Sequence, residues 1–203
     1  GLIVGLLAAG GYYWLGNPSA LGPAETFTHT GDVEEFVNAV EALEQKAANE
    51  PNNLNHQIML AHSYRAMGRY EDAIIAFGKS WEKIKSNPHE LALFAGTLAV
   101  WRGSFAGKPD ELIEQALKLD AHNADALMLA GGSAYQRKQL TTAVAYWEKI
   151  NLKQLEKEDQ EWVLTQIKDV KEEISGVKKQ ESGMEQYHDA QEPAAASSNS
   201  PAK

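Results

Sequence analysis

The chain has 203 residues, with 19 basic and 28 acidic side chains and a formal net charge of −9. This balance argues against nucleic acid as a partner, because phosphate binding needs clustered Lys and Arg. Cysteine is absent, which excludes a disulfide framework, a thiol nucleophile, a cysteine zinc site and a CxxCH attachment motif. Apolar residues make up 43% of the chain, enough for one core of ordinary size.

The chain begins with an uncharged apolar run, and we predict that residues 1–16 are the C-terminal part of a transmembrane helix. As a helix, the run would be roughly 22 Å long, against the roughly 30 Å of a bilayer core. The hydrophobic region of a secretory signal is the alternative. The cluster Tyr12-Tyr13-Trp14 favours the membrane helix, because aromatic residues gather at the membrane–water interface.

Residues 17–31 combine Pro, Gly, Ser and Thr and are predicted to form a linker. The first charges after the apolar run are acidic, and Lys46 is the first basic residue. A flank so poor in Lys and Arg is not retained on the cytoplasmic side. We therefore expect the rest of the chain to lie across the membrane, in a periplasm-like space.

The middle of the chain, residues 32–175, is predicted to be an all-α domain. Apolar residues recur at helical spacing, no stretch alternates like a strand, and Pro, Gly and Asn break the pattern at short intervals. Helices at 32–49 and 157–174 are expected to cap the two ends of the domain. Residues 176–203 contain no Leu, Ile, Phe or Trp and are predicted to be disordered.

The domain contains an internal repeat. The segment 60–77 resembles the segment 70 residues later, and two periods of 34 account for 68 of those residues. Thirty-four residues is the period of the tetratricopeptide repeat (TPR), a pair of helices that stacks into a solenoid. We place three repeats at about 54–87, 88–123 and 124–156, the middle one degenerate because 102–109 is long for a turn.

The repeat follows a packing rule. Small residues allow close helix crossings, and large rings fill the space to the next unit. The small positions are Ala61, Ala95 and Gly131 on first helices and Ala73 and Ala143 on second helices; the rings are Phe77 and Trp147.

The order of segments resembles a known family. An apolar helix and a Tyr-Trp-Leu-Gly-Asn-Pro linker precede Tyr-Arg-Ala-Met-Gly-Arg-Tyr-Glu-Asp-Ala, and later come Ala126–Tyr135 and the block around Trp147. This order resembles the TPR subunit of bacterial c-type cytochrome biogenesis, the CcmI type, and its relative in nitrite reductase haem-lyase assembly. The resemblance covers roughly residues 1–155. The chain departs from the pattern at Lys138, where glycine is usual, and at Leu140, where an aromatic residue is usual.

The resemblance implies a chaperone or scaffold anchored in the bacterial inner membrane, with its soluble domain in the periplasm. Such proteins hold apocytochrome c, chiefly by its C-terminal helical segment, and present it to the membrane subunits of the haem lyase complex. A stack of helix pairs leaves a groove lined by its first helices, and an amphipathic helix can lie in it. The predicted groove residues are Asn55, Ile58, His62, Arg65, His89, Ala92, Gly96, Ala99, Asp125, Met128, Gly132 and Tyr135.

No catalytic motif is present in the sequence, which carries no GxSxG, P-loop, HExxH or GxGxxG pattern. The six histidines are scattered along the chain, and His56 and His62 do not share a helix face at ligand spacing. We therefore expect a protein that is not an enzyme and that uses no metal or cofactor. Two alternatives stay open: a generic TPR scaffold for another envelope assembly, such as a secretion, pilus or cell-wall complex, and a secreted, signal-cleaved soluble protein.

Overall fold

A computed structural model describes the backbone of residues 30–189 and the side chains of residues 33–176. The described part is helical and contains no strand, which confirms the all-α prediction. Its helices are α1 (Thr30–Asn49), α2 (Leu54–Ala66), α3 (Tyr70–Lys79), α4 (Trp81–Ile84), α5 (Pro88–Arg102), α6 (Lys108–Leu119), α7 (Ala124–Gln136), α8 (Leu140–Trp147) and α9 (Lys157–Asp189), with a 3₁₀ turn at Leu152–Gln154.

The helices pack as three pairs, α2 with α3, α5 with α6, and α7 with α8. Neighbouring pairs contact each other through α3 and α5, through α6 and α7, and through the two first helices α5 and α7. At the ends, α1 packs on α2 and α9 packs on α8. This is the arrangement of a TPR-like helical solenoid flanked by one further helix at each end.

Buried residues occupy the positions that the repeat pattern singled out. The small residues Ala61, Ala73, Ala95 and Ala143 are fully buried, and so is the ring of Phe77. Gly131 lies directly against the indole of Trp147, which is 2% exposed. The small-against-large alternation therefore describes how the helix pairs pack.

The first helices end in the same way in all three pairs. Gly68, Gly103 and Lys138 have φ values of 70°, 67° and 61°, and they are spaced by 35 residues. At each end the left-handed residue donates its N–H to the carbonyl three residues back, and the next N–H reaches the carbonyl five residues back. This is the Schellman arrangement, in which glycine carries no penalty and lysine does.

We expect Lys138→Gly to raise the free energy of unfolding by up to about 1 kcal/mol, because it removes the left-handed strain at this turn. Gly68→Ala is the matched opposite change and should lower it by a similar amount. Urea unfolding of both variants measures the two effects. A Lys138→Gly variant less stable than the parent would contradict the strain assigned to this turn.

The extra residues of the middle repeat form the segment 103–107, which connects α5 to α6. The side chain of Gln136, on α7, makes hydrogen bonds to the backbone of two residues of this segment. Its Oε1 accepts a hydrogen bond from the Phe105 N–H at 3.1 Å, and its Nε2 donates to the Gly103 carbonyl at 3.3 Å. The Phe105 ring is 1% exposed and belongs to the core.

The two ends of the helical part differ from the predicted bounds. Helix α1 begins at Thr30 rather than at residue 32, and α9 continues past residue 175 to Asp189. Disorder is predicted for residues 176–203 because they contain no Leu, Ile, Phe or Trp. The helix extends because the docked part of α9 supplies its nucleus, and Glu, Lys, Gln and Met propagate a helix readily.

The predicted transmembrane segment at residues 1–16, residues 17–29 of the linker predicted at 17–31, and residues 190–203 lie outside the described residues. Among the helices that the structure does describe, none is both long enough and apolar enough to cross a bilayer.

Candidate peptide-binding surface

The predicted groove residues belong to α2, α5 and α7, the first helices of the three pairs. We call the side of these helices that carries them the first-helix face; its predicted members are Asn55, Ile58, His62, Arg65, His89, Ala92, Gly96, Ala99, Asp125, Met128, Gly132 and Tyr135.

Two histidine–carboxylate contacts join successive first helices across this face. His62 Nε2 on α2 lies 2.8 Å from Glu90 Oε2 on α5. His89 Nδ1 on α5 lies 2.7 Å from Asp125 Oδ2 on α7. The structure thus brings the predicted residues His89 and Asp125 together, whereas His62 contacts Glu90, which was not predicted; each histidine bridges two repeats.

Helices α5 and α7 each begin at an asparagine whose side chain caps the first turn. Asn87 accepts hydrogen bonds from the N–H groups of His89 and Glu90, and Pro88 occupies the first turn of α5. Asn123 accepts from the N–H of Ala126 at the start of α7. These caps fix the first turns that present His89, Glu90 and Asp125.

A third polar contact continues toward the end of the stack. The hydroxyl of Tyr135, on α7, donates to Glu173 Oε2 on α9 at 3.4 Å, and its ring lies 6.4 Å from that of Trp147. Burial and then the neighbouring Glu173 raise the pKa of Tyr135 above its ordinary value. The tyrosine is half-buried, so part of its ring remains available to a partner.

Exposure divides the first-helix face in two. Asn55 is exposed, Ile58 and Asp125 are half-buried, and the His62 and His89 side chains are 40% and 54% exposed. These five residues form the open part of the face.

Apart from the half-buried Tyr135, the remaining predicted members are buried. Arg65 is 6% exposed, and α5 is buried without interruption from Leu91 to Ala99, a stretch that includes Ala92 and Gly96. On α7, Gly132 is buried, and Met128 is 1% exposed in the cluster that also holds Trp147 and Val163. A guest reaches these side chains only if the packing around them changes.

One exposed residue on this face was not among the predicted members. Met59 is 54% exposed and stands between Asn55 and His62 at intervals of four and three residues, so it shares their stripe on α2. The helical period starting from Asn55 would have found it. Glu90, in contrast, is revealed only by its contact with His62, because the offset between two helices cannot be read from one helix period.

A separate cavity of about 500 Å³ lies between α1, α2 and α3. Tyr64 and Glu44 form part of its wall, and the Tyr64 hydroxyl donates to Glu44 at 2.8 Å. Burial and this hydrogen bond raise the pKa of Tyr64 to about 12. Within the described part of the chain, no group of three or more His, Asp or Glu side chains is arranged to hold a metal ion.

The described helices therefore define a helix-pair repeat protein of the TPR-like class, with an open polar and apolar surface along its first helices. No family profile matches the chain. Two curated relatives do resemble it. Over 114 residues it is 25% identical to the formate-dependent nitrite reductase complex bifunctional subunit NrfFG of Haemophilus influenzae, a match that covers 56% of this chain and 30% of the relative.

Over 113 residues the chain is 23% identical to the formate-dependent nitrite reductase complex subunit NrfG of Escherichia coli O157:H7. That match covers 55% of this chain and 57% of the relative. In both cases the chain spans less than two thirds of the relative's length. Both names describe subunits of one kind of complex.

Proposed function

We propose that this chain is a TPR scaffold in the assembly of c-type cytochromes. It holds apocytochrome c through the C-terminal helical segment of that protein and presents it to the membrane subunits of a haem lyase complex. The observation that carries the proposal is the likeness to two nitrite reductase complex subunits in a chain whose described part is a helix-pair solenoid.

The names of the two relatives favour the subunit of nitrite reductase haem-lyase assembly over the CcmI type, the two families that the sequence resembles. The proposal includes an anchor in the bacterial inner membrane at residues 1–16 and a periplasmic helical domain. Its support is the aromatic-ended apolar run and the acidic flank that follows it. Protease accessibility in spheroplasts tests this part: a helical domain protected until the membrane is broken would contradict it.

The open part of the first-helix face suits a helical guest. Ile58 and Met59 present apolar surface one turn of α2 away from His62, and the half-buried ring of Tyr135 lies on α7. Methionine adapts its shape to different partners, and a tyrosine ring adds a large contact area at a small entropic cost. An amphipathic guest helix would place its apolar stripe on these side chains.

We expect the double variant Ile58→Ser/Met59→Ser to weaken binding of an apocytochrome C-terminal peptide about tenfold, because each removed contact is worth roughly 1 kcal/mol or less. Tyr135→Ala should cost about 1–2 kcal/mol of affinity if the ring anchors the guest. Calorimetric titration of the full chain in detergent measures both changes.

The matched control is Ile75→Ser. It removes a 51% exposed isoleucine from α3, the second helix of the first pair, and so lies off the first-helix face. It should leave the affinity unchanged. Binding that is unaffected by the Ile58, Met59 and Tyr135 changes would contradict a guest on the first-helix face. Absence of binding to any apocytochrome peptide would favour a generic envelope scaffold.

A further inference from the structure

The two histidine–carboxylate contacts share a feature that the proposed function does not use. Each joins the first helix of one repeat to the first helix of the next, over sequence separations of 28 and 36 residues. Together they form a continuous line of contacts from α2 through α5 to α7. Imidazole is the side chain whose charge ordinarily changes near neutral pH.

The charged groups around His89 come from three helices. Asp125 on α7 accepts its hydrogen bond, Glu90 stands beside it on α5, and Arg65 on α2 lies close enough to oppose its protonation. Two carboxylates thus face this imidazole against one guanidinium. The arrangement favours the imidazolium, which can donate to Asp125 as an ion pair.

His62 has a simpler surrounding. Its Nε2 lies against Glu90, whose side chain is 12% exposed, and the ring centroid is 6.1 Å from that of Phe77 on α3. Arg65 follows three residues later on the same helix. Glu90 is therefore the carboxylate nearest to His62 and a neighbour of His89, which couples the two contacts.

We propose that the contact of His89 with Asp125 is a proton-dependent clamp, in which protonation of His89 tightens the coupling between α5 and α7, the first helices of successive repeats. The clamp concerns the packing of the repeats alone. It requires no guest, so the result of its test is independent of whether the proposed function is correct.

The pKa of His89 determines whether a rise in pH stabilises or destabilises the folded protein. The hydrogen bond to Asp125 raises the pKa of His89 above its ordinary value, which is about 6.5. The folded protein therefore holds a proton that the unfolded chain releases, and this contribution to stability is fully present below about pH 6.5. It is lost as the pH rises through the raised pKa of the folded state.

A nuclear magnetic resonance titration of the histidine rings in the full chain tests the first step. The His89 ring should titrate at a higher pH in the parent than in Asp125→Asn, because the variant lacks the carboxylate that pairs with the imidazolium. Equal titration of His89 in the parent and in Asp125→Asn would overturn the proposal.

Urea unfolding at pH 6.0 and pH 8.5 tests the consequence. The parent protein should have a lower urea midpoint at pH 8.5 than at pH 6.0, and His89→Gln should show a smaller difference. His122→Gln, the matched control, should retain the dependence of the parent. A His89→Gln variant with the same pH dependence as the parent and the control would overturn the clamp.

Discussion

Replacing Phe77 by alanine should lower the free energy of unfolding by about 3–5 kcal/mol, the usual cost of removing a buried phenylalanine ring. The ring has no exposed surface and stacks on Phe94 with centroids 5.1 Å apart and planes 23° from parallel. It joins α3 to α5 and therefore fills the junction between the first and second repeats. Urea unfolding with a linear extrapolation measures the loss.

The neighbouring Ile75 provides a control for this change. It lies on the same helix but is 51% exposed, so Ile75→Ala should cost well under about 1 kcal/mol. A Phe77→Ala loss no larger than that of Ile75→Ala would mean that the ring does not support the junction. The repeat register assigned to the first two pairs would then be wrong.

Gly131→Ala should be destabilising by about 1–3 kcal/mol or more, although alanine is the better helix former. An added Cβ would lie 2.5 Å from Cδ1 and Cε2 of the Trp147 indole and closer still to Nε1. The indole cannot easily retreat, because it is buried and its N–H donates to the Met128 carbonyl at 3.2 Å. Thermal or urea unfolding measures the cost.

Gly78→Ala is the matched control, since nothing lies within 4 Å of its added Cβ and the residue is helical and exposed. It should stabilise the protein by about 0.4–1 kcal/mol. In a Trp147→Leu background, Gly131→Ala should cost less than in the parent, because the clashing ring is gone. An additive double variant would contradict the contact.

The repeat positions could be predicted from sequence because they depend on spacing within the chain. Ala73 and Phe77 are four residues apart on one helix face, and the same pair of positions recurs as Ala143 and Trp147. Burial of all four follows from that spacing together with the need of each helix pair to cover an apolar side. Local periodicity was sufficient here.

The groove could be predicted only in part. The helical period places Ile58, His62 and Met128 on one kind of face, but it does not say how closely neighbouring helices approach. Met128 is packed into the core, whereas His62 remains partly open. The hydrogen bond of His62 with Glu90 depends on the offset between α2 and α5, which one sequence does not encode locally.

The extent of the last helix depends on more than its apolar content. The sequence after Ser175 contains no Leu, Ile, Phe or Trp, and the prediction of disorder follows from that composition. Helix formation does not need burial at every residue once a docked segment, which includes the buried Val163 and Val170, has nucleated the helix.

A scaffold with the proposed function must distinguish an unfolded cytochrome from a folded one. Folding around haem packs the C-terminal helix of a c-type cytochrome against its own core, so the apolar stripe offered to the first-helix face is then covered. Titration of the full chain in detergent with one c-type cytochrome, in its apo and holo forms, tests for this discrimination. We expect the apo form to bind at least about tenfold more tightly, a difference of roughly 1.4 kcal/mol; equal affinity for the two forms would contradict the proposed function.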